Sequence, residues 1–212
     1  MDDVPSIGPE FFDIRYAANR IPWDYGGVQN SLKAFLDQHH GPGRVLIPGC
    51  GSGYEIKAFS AAGWDVIGID FSALAVARAR KLLGPLADKV YEGDFFAYPL
   101  GERYFDIIYE RTFLCALLPD SWPRYAQRIG TLIAPAGLLC GFFFLGPEEE
   151  PPPYPISQDQ LDELLGGWFE KVEDNPVEDS LSLYAGKERW QIWRRKITNH
   201  LGIASGTLSR KR

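Results

Sequence analysis

Short apolar runs alternate with amphipathic stretches along most of this chain, and that alternation predicts the elements. The run Val45-Leu46-Ile47 reads as a first strand, followed by others at 65–70, 89–92, 104–109 and 138–145. Between them the spacing of apolar positions turns helical, at 55–62, at 73–83 behind Ser72 as N-cap, and from Asp120 or Ser121 to about Ala134 with Pro123 in the first turn. Ahead of the first strand, 11–18 reads as a short amphipathic helix. Ser31 is the expected cap of another helix through Leu32, Phe35 and Leu36, closed by Gly41-Pro42-Gly43. After the fifth strand, Ser157 caps a helix over 158–165, and 168–173 and 188–196 read as two more strands. Trp190 and Ile192 fall on one face of the last strand and Trp193 on the other, as a strand covered on both sides requires. Strands alternating with helices predict an α/β fold around a largely parallel sheet.

The loop after the first strand carries the chemistry. Gly49-Cys50-Gly51-Ser52-Gly53 lies between strand and helix, where glycines let the chain turn tightly and a ligand come close. A dinucleotide fingerprint needs a third glycine where Tyr54 or Ile56 stands, and no Gly-Lys-Ser/Thr of a phosphate loop follows. Asp70 ends the second strand 21 positions after Gly49, near the spacing at which a carboxylate holds a ribose diol. Ribose and adenine without pyrophosphate describe S-adenosylmethionine; a plain structural turn is the alternative. In open parallel sheets ligands bind beyond the carboxyl ends of the strands, which aligns the glycine loop, Asp70, Asp94 and Glu110 along one edge.

At 212 residues the chain has the length of about one domain, with 45% apolar and 24% charged residues. A net charge of −6 argues against a nucleic-acid partner, and the basic run Ser209-Arg210-Lys211-Arg212 reads as a solvated tail. Cys50, Cys115 and Cys140 lack CxxC spacing, and His39, His40 and His200 form no ligand set, so no metal is expected. Unpaired thiols, an acidic start without an apolar leader and no run long enough to span a bilayer predict a cytoplasmic protein. The segment 146–155, rich in Pro and Glu, is either a stiff surface loop or a lid at the ligand edge.

Motifs along residues 11–196 resemble class I S-adenosylmethionine-dependent methyltransferases. They are IPWDYGG (21–27), VLIPGCGSGY (45–54), VIGIDFS (66–72), YEGDFF (91–96), FDIIYERTFLCAL (105–117), PPPYPIS (151–157) and GKERWQIWRR (186–195). Within that class the chain is similar to the thiopurine S-methyltransferase superfamily, on its thiol/halide methyltransferase branch. The resemblance implies a Rossmann-like fold, a seven-stranded mostly parallel sheet with helices on both faces. It also implies an N-terminal segment (1–30) covering the active site, a single methyltransferase domain (31–196) and a flexible tail (197–212). Gly49, Gly51 and Gly53 would line the methionine part of the cofactor, with Cys50, Phe71 and Ser72 beside them. Asp70 would hold the ribose, Asp94 the adenine amino group and Phe95 the adenine ring or its surroundings. Glu110 and Arg111 would lie near the methionine moiety, and Trp23 would close over the cofactor. Phe12 and Tyr16 stand where the plant branch tends to have tryptophan, and Glu110 where aspartate is usual. Apart from the resemblance, Trp23, Phe95 and Phe96 also suit core packing, Asp94 a turn, and Cys50 and Cys115 small buried hydrophobes.

A sulfonium methyl donor is already activated, so alignment and water exclusion are the protein's main tasks. A thiol, thiocyanate or halide acceptor needs little or no base, whereas an alcohol or amine needs one, for which only Glu110 and Asp24 are candidates. The expected activity is transfer to a small soft nucleophile in a pocket of Phe12, Tyr16, Phe113 and Tyr154, by a monomer without nucleic-acid or membrane partners. The expected product is S-adenosylhomocysteine. Transfer to oxygen, nitrogen or a metalloid, or cofactor binding without catalysis, are the alternatives.

Overall fold

The computed structural model describes residues 7–100, 105–148 and 151–197. The start of the chain (1–6), Tyr104 of the expected fourth strand, Glu149 and Glu150 of the possible lid, and the expected tail beyond Ile197 lie outside them. Helices α1 (Pro9–Ala17) and α2 (Asn30–Gln38) lead into the alternation β1 (Arg44–Pro48), α3 (Tyr54–Ala61), β2 (Asp65–Asp70), α4 (Ala73–Leu83) and β3 (Val90–Glu92). β4 (Phe105–Arg111), α5 (Trp122–Leu132), β5 (Ile133–Phe144), α6 (Gln158–Gly166), β6 (Phe169–Pro176) and β7 (Glu188–Arg195) complete it. The strands form one sheet in the order β3-β2-β1-β4-β5-β7-β6, parallel except for β7, which runs antiparallel to both neighbours.

The alternating side-chain direction of a strand divides the core into two layers. Val45, Ile47, Ile107 and Tyr109 face α2, α3 and α4 through Leu32, Phe35, Ile56, Phe59 and Val76. Leu46, Ile69, Ile108 and Leu139 face α5 and α6 through Tyr125, Ile129, Leu161 and Leu165. Trp190 and Ile192 belong to the first layer and Trp193 to the second, the two-sided burial expected of that strand. Ser72 caps α4 by accepting from the Ala75 amide, and Ser157 and Gln160 form a reciprocal capping box on α6.

Several boundaries differ from the sequence expectation. α2 begins at Asn30, behind Gln29, so Ser31 is not its cap; the Asn30 amide donates instead to Asp179 Oδ2 at 2.8 Å, a partner 149 residues away. α5 stops at Leu132 rather than about Ala134, because Pro135 pushes its predecessor out of helical geometry, and β5 starts at once, opposite Phe105. β6 runs on to Pro176, paired with Arg189; a proline is tolerated there because β6 is the sheet edge.

Candidate active site

The loop between β1 and α3 holds Gly49, Gly51 and Gly53 at φ of +60°, +51° and +78°, a left-handed conformation that side-chain-bearing residues avoid. Space is also short. A Cβ on Gly49 would lie 2.5 Å from the Phe113 ring, and one on Gly51 would lie 3.0 Å from the Tyr16 hydroxyl. The turn brings the Gly51 amide to Asp70 Oδ2 (2.9 Å), while the Ser72 amide donates to Asp70 Oδ1 (2.9 Å). Asp70 is 8% exposed, and burial pushes its carboxyl up to about 6 against the opposing pull of those amides. Two of its roughly four acceptor positions are used, which leaves two for hydroxyl donors. Cys50 is buried beneath the loop, with its thiol packed where a Cβ of Gly68 would go.

The N-terminal segment lies over this loop. Phe12, Tyr16 and Trp23 pack edge-to-face, with Phe12–Trp23 centroids at 5.6 Å and Tyr16–Trp23 at 6.1 Å, and Phe12 also meets Phe71 at 5.4 Å. Two carboxylates moor the segment. Asp13 accepts from the Ser72 hydroxyl and the Leu74 amide at the start of α4. Asp24 Oδ2 accepts from the Ser52 hydroxyl at 2.6 Å, with Arg78 at 3.6 Å, and its Oδ1 takes the Gly26 amide. These moorings were not anticipated; acidic residues in a short helix and a turn give no local hint of partners so distant in sequence.

The end of β4 turns its two charged residues to opposite faces of the sheet. Glu110 is 1% exposed; Oε1 accepts from the amides of Phe113 and Leu114, and Oε2 from the Tyr125 hydroxyl at 2.7 Å. Three of its roughly four acceptor positions are used in folding the turn after β4, which leaves one, on Oε2. Arg111 points to the opposite face, donating to Glu188 Oε1 at 2.7 Å between the rings of Phe142 and Tyr184. Glu188 Oε2 accepts from Ser180 (2.7 Å) and Gln29 (3.3 Å). Sequence reasoning missed Glu188, although a charged residue at the head of a strand covered on both faces was the signal: buried, it must be paired.

The remaining expected residues follow β3, β4 and β5. Asp94 is exposed and accepts from the Phe96 amide in a turn. The Phe95 ring is buried against Phe113 and Tyr125. Phe113 belongs to this packing beneath Gly49, and Tyr154 is half-buried, its amide donating to the Cys115 carbonyl. Phe12 and Tyr16 stand together over Gly51, Phe113 lies against Gly49 of the same loop, and Tyr154 is tied to Cys115. A separate apolar cluster lies past β4 and β5: Cys115, Phe144 and Tyr184, flanked by Trp23, Leu181 and Leu183. Of these, only Trp23 was singled out in the sequence for the site.

The three-layer sandwich, the glycine turn and the buried acidic residue ending β2 define a Rossmann-like methyltransferase. A solved structure of this fold, a 1,6-didemethyltoxoflavin N1-methyltransferase from Burkholderia thailandensis with bound S-adenosylhomocysteine, superposes with a TM-score of 0.73 at 20% identity, over 89% of this chain and 87% of that one. The thiopurine S-methyltransferase model matches residues 7–197, and the chain belongs to that family of S-adenosylmethionine-dependent methyltransferases. It is 31% identical to the probable thiol methyltransferase 2 of Arabidopsis thaliana, over 87% of this chain and 84% of that protein. It is 28% identical to the thiopurine S-methyltransferase of Vibrio campbellii, over 75% and 82% respectively.

The residues present fit the cofactor. Asp70 keeps acceptor capacity, and polar atoms buried without partners stand at the end of β4: Tyr109 OH and Arg111 Nη2, with Gln29 Oε1 across Glu188. No described helix is long and apolar enough to cross a membrane.

Proposed function

We propose that this methyltransferase acts on a small soft nucleophile, a thiol, thiopurine, thiocyanate or halide. The observation that carries the reading is the pair of relatives named as a thiol and a thiopurine methyltransferase, beside the burial of Glu110, one of the two candidate bases with Asp24, under three donors. An acceptor that is an anion, or that ionises near neutrality, needs neither. S-adenosylmethionine supplies the activated methyl group when bound. Asp70 and the glycine loop would hold its nucleoside, the loop with Cys50, Phe71 and Ser72 its surroundings, and Phe12, Tyr16 and Trp23 would keep water away from above. The apolar cluster of Cys115, Phe144 and Tyr184 offers a wall that suits a polarizable acceptor better than a strongly hydrated one. In this reading residues 1–30 are the cover and 31–196 the catalytic body of a cytoplasmic monomer. The names of the thiol and thiopurine methyltransferase relatives point to the same acceptors.

The test is S-adenosylhomocysteine formation across an acceptor panel of small thiols, a thiopurine, thiocyanate, iodide, catechol and primary amines. Turnover confined to the sulfur and halide acceptors is expected. Turnover confined to catechol or amines would overturn the reading.

A further inference from the structure

Beneath the glycine loop lies a group of polar side chains that hold no assigned role. Tyr109 and Arg111 are two apart on β4 and so project from the same face of the sheet. The β1–β4 register pairs Val45 with Ile107 and Leu46 with Ile108; carried forward, it sets Arg111 level with Gly49. The Tyr109 ring packs edge-to-face on Phe59 at 5.6 Å, and Phe59 lies one helical turn from Glu55 on α3. Four residues apart, Glu55 and Phe59 share the face of α3 that turns to Tyr109, which sets the Glu55 carboxylate beside the same strand end. Gln29 closes the group through Glu188.

Most of these groups are buried and incompletely paired. Tyr109 is 0% exposed with an unpartnered hydroxyl, Gln29 is 2% exposed with an unpartnered Oε1, and Arg111 keeps Nη2 free beyond the nitrogen committed to Glu188. Buried polar atoms left unpaired cost about 1–3 kcal/mol each, so three together call for a ligand. The free valences have a definite composition: donors at Arg111 Nη2 and Tyr109 OH, acceptors at Glu55 and Gln29 Oε1. A molecule that satisfies both sets carries an ammonium beside a carboxylate.

We propose that Glu55 is a binding residue for the α-amino-acid end of the cofactor, taking its ammonium while Arg111 Nη2 and Tyr109 OH take its carboxylate. This rests on the S-adenosylmethionine reading of the glycine loop and adds to it residues from α3 and β4. Glu188, fixed by Ser180 and Gln29, is the positioning residue that aims Arg111.

Two ligands separate the head group from the nucleoside: S-adenosylhomocysteine, and 5′-deoxy-5′-methylthioadenosine, which keeps adenosine and thioether but lacks the amino acid. By calorimetry, Glu55→Gln is expected to weaken S-adenosylhomocysteine at least tenfold and to leave methylthioadenosine within twofold. An analogue of S-adenosylhomocysteine without its amino group should bind wild type and Glu55→Gln alike. Equal loss for all three ligands, or no loss for any, would overturn the assignment. Should Glu55→Gln fail to fold, Tyr109→Phe must show the same selective loss, on a smaller scale, or the assignment falls. Failure of wild type to bind either adenosine ligand would instead remove the cofactor reading beneath it.

Discussion

The two ends of this site are built by opposite means. At the glycine loop the working groups are backbone amides and one carboxylate, all within residues 49–72, and Asp70 is held by the amides of Gly51 and Ser72. At the ends of β4 and β7 the working groups are side chains gathered from residues 29, 55, 109–111 and 180–188, around a buried Arg111–Glu188 ion pair. The first arrangement follows from local chain geometry. The second exists only when the whole sheet has closed. Damage should therefore separate as well: the loop end loses ligand, the side-chain end loses fold.

The sharpest break in that contrast is Arg111→Met. It leaves Glu188, 4% exposed, with only Ser180 and Gln29 as donors. Removing one partner of a buried ion pair costs about 3–5 kcal/mol. The expected urea unfolding midpoint of the variant is far below that of wild type, and Arg111→Met/Glu188→Met should regain most of the loss. A single variant within about 1 kcal/mol of wild type would show that the pair is not a structural keystone.

Asp70→Ala probes the other end. The two amides it releases lose their acceptor, but the burial penalty of the carboxylate goes with it, so stability should fall by less than about 2 kcal/mol. Affinity for S-adenosylhomocysteine should drop further, by about 2–3 kcal/mol, the scale of hydrogen bonds to a charged group. Denaturation and calorimetry on the same preparations decide it. A variant that unfolds as readily as Arg111→Met would erase the difference between the two ends.

The same contrast governs what was legible in the sequence. Alternating periodicity revealed the seven strands and the glycine loop with Asp70, because period and spacing are local properties. Ser72 and Ser157 were legible as caps because their partners lie three residues on. Ser31 was misread for the converse reason: the α2 amide is served by Asp179, from the far side of the molecule. Glu110 sits at the expected strand end, but spacing cannot tell that three donors fold around its carboxylate. Gln29, Glu55, Tyr184 and Glu188 were invisible because each is ordinary in its own neighbourhood; only convergence makes them a site.

The smallest effect joins the two ends through pH. Burial raises the Glu55 carboxyl from 4.5 to about 7 and that of Asp70 from 3.8 to about 6. The groups facing Glu55 are Asp24, whose charge raises it further, Arg111, which lowers it, and the phenol of Tyr109 and thiol of Cys50, which burial keeps un-ionised. For both acids the native state binds protons that the unfolded state has already released, so the ligand-free protein should lose stability as pH rises from about 4 to 7. Glutamine mimics the protonated form of Glu55. Glu55→Gln should therefore flatten the upper part of that slope, between about 4.5 and 7, by about 1 kcal/mol once water at this half-buried group is allowed for. The slope from Asp70 should remain. Saturating S-adenosylhomocysteine should reverse the Glu55 contribution, because a bound ammonium favours its ionised form, and so lower its pKa and release protons on binding. Calorimetry in buffers of different ionisation enthalpy near pH 6.5 measures that release directly. Proton release that persists undiminished in Glu55→Gln would assign the titration to Asp70 alone and leave the side-chain end of the site electrostatically silent.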